Sequence, residues 1–77
     1  MTMKTGEIKG ASFKRLAANR TNNVIRNIRL LGNLSNKHNY AYMDDDFRHI
    51  FNTVENELKL AKSKFLIALS RKRKFKL

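Results

Sequence analysis

Arg15, Asn19, Asn22, Arg26 and Arg29 recur at steps of four and three residues, and their chemistry is that of nucleic-acid recognition. An arginine fork binds phosphate or a guanine edge in bidentate fashion, and an asparagine amide both donates and accepts at base edges or sugars. If the segment is helical, rotation of about 100° per residue puts all five side chains within about 80° of one another. No acidic residue occurs from 8 through 43, so the ladder has no counter-charge in its own segment. An ordinary solvated helix face mixes Glu with Lys at i,i+4, and Asn is a poor helix former. The composition therefore points to an external anion, such as a DNA major groove or a widened RNA groove or loop. The competing reading is a solvated or protein-binding face, because a genome low in GC enriches Asn, Lys and Ile without any function.

The C-terminal run Arg71, Lys72, Arg73, Lys74 is a second phosphate-binding candidate, set against a merely solvated end. Over the whole chain of 77 residues the formal charge is +11, unevenly spread. Residues 1–43 hold eight bases against Glu7, and residues 44–58 hold five acids against Arg48. Residues 59–77 then hold eight bases and no acid. An excess of this size costs self-repulsion unless nucleic acid, an acidic protein surface or an anionic membrane neutralises it; simple solubility is the alternative.

Other chemistry is poorly supported. Asp44, Asp45 and Asp46 are adjacent, so on a helix they point around the axis instead of converging on a metal. Asp44 is expected to cap a helix, with the other two complementing its positive end. The two histidines, His38 and His49, have no cysteine or carboxylate at metal-ligand spacing, and no cofactor is expected. Ser12, Ser35, Ser63 and Ser70 have no arranged base, and there is no glycine-rich phosphate loop. The expectation is a protein that is not an enzyme.

The elements that must position the ladder follow from periodicity. Absence of proline and the presence of only three glycines predict an all-α fold. Phe13, Ala17, Val24, Ile28 and Leu31 fall within about 60° on a helical wheel, opposite the ladder, with Leu16 widening the stripe. This predicts a first helix over about 11–31, ended by Gly32 in the left-handed conformation. Residues 1–10 are then a flexible arm and 32–43 a connector, in which Leu34, Tyr40 and Tyr42 close the end of a core. Phe47, Phe51, Val54, Leu58, Ala61, Phe65 and Ala68 alternate steps of four and three, predicting a second helix over about 44–70, with a basic tail at 71–77. Two amphipathic helices on a short link predict an antiparallel hairpin. Arg20 and Asn27, at the edge of the first stripe, are expected to fix its register, with Glu55 or Glu57 as partners.

A hairpin makes a thin core, and a chain this short draws support from packing or a partner. Leu60 and Ile67, flanked by Leu66, lie roughly opposite the main seam of the second helix. They predict a second packing surface, used either for self-association into a bundle, as a homodimer, or for docking on another molecule. A basic amphipathic helix lying on an anionic membrane is a further alternative. No apolar run approaches the roughly 20 residues of a bilayer span, and "MTMKTGEIKG" lacks the apolar core of a signal peptide, so cytoplasmic residence is expected. The absence of cysteine agrees with a reducing compartment.

The stretch "IRLLGNLSNKHNYAYMDDDFRHIFNTVENELKLAKSKF", residues 28–65, resembles a class of small basic α-helical proteins of bacterial or mobile-element type. The likeness rests on a Gly-Asn-Leu-Ser-Asn, Asn-Tyr, acidic-turn, Ile-Phe progression and implies no activity; Met43 stands where that pattern has a capping Thr or Ser. Two functions are expected from these residues together. One is a nucleic-acid-binding accessory or regulatory protein, with RNA favoured over duplex DNA because no second half-site reader is visible. The other is an adaptor or inhibitor, as a phage or mobile-element factor, that docks on a nuclease, polymerase, CRISPR effector or ribosome.

Overall fold

The computed structural model describes residues 5–71, and side-chain exposure from Gly6 to Arg71. It contains two helices and no strand among those residues: α1, Thr5–Asn33, and α2, Asp44–Ser70. The chain divides into two units, residues 1–41 and 42–77, so that each helix belongs to its own unit.

α1 is longer at both ends than the apolar stripe predicts. It starts at Thr5, so residues 5–10 are helical and not part of a flexible arm. Gly6 and Gly10 cost helix stability, by up to about 1 kcal/mol each relative to alanine, but nothing there forbids the helical backbone. Glu7 lies in the first turn, where a carboxylate complements the positive helix end. At the other end Gly32 is helical, and no glycine among the described residues has a positive φ. The expected left-handed cap is therefore replaced. Leu34 and Ser35 donate their backbone N–H groups to the carbonyls of Leu31 and Gly32, both at 3.1 Å, satisfying two orphan acceptors through tightened i→i+3 bonds.

The connector then turns on Asn36. Its carbonyl accepts from the N–H groups of Asn39 at 3.1 Å and Tyr40 at 3.0 Å, while its side-chain Oδ1 accepts from the His38 N–H at 3.0 Å. Such a side chain folding onto the backbone two residues ahead is the reason Asn is favoured in turns.

α2 spans the residues that its seam predicts, but its start is built differently from the expectation. Met43 is the N-cap, extended at φ −114° and ψ 166°, and Asp44 is the first helical residue. A thioether is too weak an acceptor to cap well. Asp46 supplies the polar contact from the other direction, with Oδ2 accepting the Met43 N–H at 2.9 Å. This is the returning half of a capping box, with the carboxylate also placed at the positive end of the helix. At the far end the Arg71 N–H reaches the Ile67 carbonyl at 3.1 Å.

Within each unit, the apolar residues hold the faces read from their spacing and stay open to solvent. No described side chain is buried. On α1, Ala17 and Leu31 are half-buried, whereas Phe13, Val24 and Ile28 remain about half exposed. On α2, Val54 is half-buried, and Leu58 and Phe65 are 65% and 56% exposed. Phe47 and Phe51 form a ring pair, centroids 5.0 Å apart and tilted by 43°, a one-turn contact along the seam. Each helix thus presents an amphipathic surface whose apolar half gains its hydrophobic stabilisation only when something covers it.

Candidate nucleic-acid interface

The ladder sits wholly on α1. Arg15, Asn19, Asn22, Arg26 and Arg29 are all exposed and all lie within one uninterrupted helix. At about 1.5 Å per residue the five side chains are distributed along roughly 21 Å of the axis. Continuity of the helix is what makes them one surface: a break anywhere between residues 15 and 29 would rotate the two halves apart. Three guanidinium groups set along such a line suit an extended row of phosphates, with two amides between them for sugar or base edges.

Compensation of the helix dipole does not account for these arginines. Arg26 and Arg29 fall in the C-terminal part of α1, whose carbonyl end is the negative pole of the helix. That interaction fades within the last turn, which holds no base, and Arg15 lies farther still from the pole.

Ile25 and Leu30 complicate the simple division into two faces. They flank the ladder on the wheel and are 40% and 55% exposed, so the polar side of α1 has apolar margins. Both are out of step with the four-three rhythm that marks the ladder. Arg20 and Asn27 are also exposed, at the border between the two faces.

Elsewhere the candidates are more dispersed. Arg71 is at the C-cap of α2, in the second unit, and Lys72, Arg73 and Lys74 lie outside the described residues. Leu60, Leu66 and Ile67, the candidate partner face, are exposed at 58%, 60% and 54%. Of the acidic turn, Asp46 is committed to the Met43 N–H, while Asp44 and Asp45 border an open recess with Tyr42 and Met43. Two of the serines bond to their own helix, Ser63 Oγ donating to the Lys59 carbonyl and Ser70 Oγ to the Ile67 carbonyl, both at 2.9 Å. Among the described residues no helix is long and apolar enough to cross a membrane, and no three His, Cys, Asp or Glu side chains group to hold a metal ion.

In comparisons with known proteins the chain matches no protein-family model, no curated protein and no solved structure.

Proposed function

We propose that this is a non-enzymatic nucleic-acid-binding accessory or regulatory protein, cytoplasmic, with its binding surface on the Arg15/Asn19/Asn22/Arg26/Arg29 face of α1. The observation that carries the reading is one exposed helical face with three arginines and two asparagines, in a segment without an acid from residue 8 through 43. Phosphate contact supplies affinity and the asparagines supply what base or sugar preference there is. RNA is favoured over duplex DNA, since a single helix face without a second half-site reader suits a loop or a single strand better than a paired half-site. Arg71, Lys72, Arg73 and Lys74 add sequence-independent attraction.

A second reading is favoured by Leu60, Leu66 and Ile67, whose exposure supports a face for protein contact. On that reading the protein is an adaptor or inhibitor seated on a nucleic-acid-handling machine, as a phage or mobile-element factor, with its basic helix lying against bound RNA or an acidic groove. Helices assembled antiparallel, as a hairpin or a bundle, agree with either reading because each brings an amphipathic face. An affinity pull-down from cell extract, with and without nuclease, tests the choice. Nucleic acid recovered with the untreated sample, and partners lost after nuclease, is the expected result; retention of a protein partner after nuclease instead supports the adaptor.

A further inference from the structure

We infer that α2 pairs with the α2 of a second copy of this chain, antiparallel, through the seam formed by Phe47, Phe51, Val54, Leu58, Ala61, Phe65 and Ala68. The argument for a second copy, as opposed to any other apolar partner, is charge. Along α2 the sign of the net charge reverses: Asp44, Asp45, Asp46, Glu55 and Glu57 outweigh Arg48 in the first half, and Lys59, Lys62 and Lys64 lead to Arg71 in the second. A helix of this pattern is complementary to itself only when turned end over end.

The register can be worked out from the seam. With Phe51, Leu58 and Phe65 at one core position of the heptad, and Phe47, Val54, Ala61 and Ala68 at the other, the flanking positions follow. Arg48, Glu55, Lys62 and Leu69 border one side, and Ile50, Glu57, Lys64 and Arg71 the other. Aligning Leu58 with Ala61 of the second copy then sets Phe51 against Ala68 and Phe65 against Val54, so that each of these layers pairs a larger side chain with a smaller one. The same register brings Glu55 to Lys62 of the second copy on one border and Glu57 to Lys64 on the other. Two-fold symmetry repeats each pair, giving four Glu–Lys pairs and no like-charge pair. A parallel arrangement offers only Glu57 to Lys62 and its repeat, and sets the two acidic halves side by side.

Intrahelical pairing accounts for Glu55, which has Lys59 four residues on, but not for the other three charges. Glu57, Lys62 and Lys64 have no opposite charge three or four residues away in their own helix. Nor does α1 offer a match for the basic half, since Glu7 is its single acid. The occupant that supplies glutamates at the right spacing is α2 itself.

The test uses the full chain in sedimentation and light scattering over a range of concentrations, alongside variants. The chain should form a reversible dimer of twice 9.0 kDa. Glu55→Lys with Glu57→Lys, and separately Lys62→Glu with Lys64→Glu, should each weaken association by roughly tenfold or more. Mixing the two variants, or combining all four changes in one chain, should restore it, which separates charge pairing from misfolding. Orientation is read from a spin label at Arg48→Cys, in a chain with no native cysteine. In the antiparallel pair Arg48 lies beside Leu69 of the second copy, so two labels are about 32 Å apart along the axis at ~1.5 Å per residue. Parallel helices would instead hold them near the ~10 Å interaxial spacing. A monomer at every concentration, with the seam closed on α1 of its own chain, overturns the inference. So does association that ignores the charge reversals, reversals that mixing fails to rescue, or a short label distance.

Discussion

Asp46 Oδ2 accepts a hydrogen bond from the Met43 N–H at 2.9 Å, and this contact defines where α2 begins. Because Met43 lacks a good side-chain acceptor, the side-chain contribution to capping comes from the returning carboxylate. Asp46→Ala should lower the stability of α2 by about 1 kcal/mol, and Met43→Ser should raise it by a similar amount by completing the reciprocal pair. Thermal melts followed by circular dichroism check both signs.

The glycines of α1 give a second expectation. A methyl group built at Gly10 or Gly32 meets nothing within 4 Å, and neither residue has a positive φ. Gly10→Ala and Gly32→Ala should therefore each stabilise the helix, by roughly 0.5–1 kcal/mol at an interior position and less near the end. A left-handed Gly32 would give the opposite sign, with alanine destabilising. Helix content of the two variants decides between them.

Much of the secondary structure was readable from residue spacing, and the exceptions have physical causes. The four-three rhythm from Phe47 to Ala68 and the stripe from Phe13 to Leu31 are properties of side-chain order, so both helices were legible. Helix ends were not, because they depend on small local balances. Gly32 has the residue type of a left-handed cap, yet Leu34 and Ser35 close the helix with ordinary backbone bonds. Asp44 has the residue type of an N-cap, yet the position falls to Met43 because Asp46 can reach back. The ladder was legible as a face, but Ile25 and Leu30 on its margins were out of step with both the ladder and the apolar stripe. What covers the apolar stripes could not be read from periodicity, which specifies a face and leaves its occupant open.

The exposed Leu60 and Ile67 distinguish the two functional readings by mutation. Leu60→Ser with Ile67→Ser should abolish recovery of a protein partner while leaving binding to free RNA within about twofold, since surface changes away from the ladder leave the phosphate contacts in place. Loss of helicity in that variant would instead assign both residues to the chain's own packing. Pull-down and anisotropy on one preparation, with circular dichroism as the folding control, read all three.

The ladder itself is tested by salt. Anisotropy titrations of single-stranded RNA against the chain, repeated over a series of salt concentrations, should give a steep linear fall of log affinity with log salt. Replacing Arg15, Arg26 and Arg29 by glutamine should weaken binding and reduce that slope by about 2, the change expected when three phosphates of a single strand are no longer neutralised. An unchanged slope and affinity in the triple variant would contradict the assignment of α1 as the nucleic-acid-binding face.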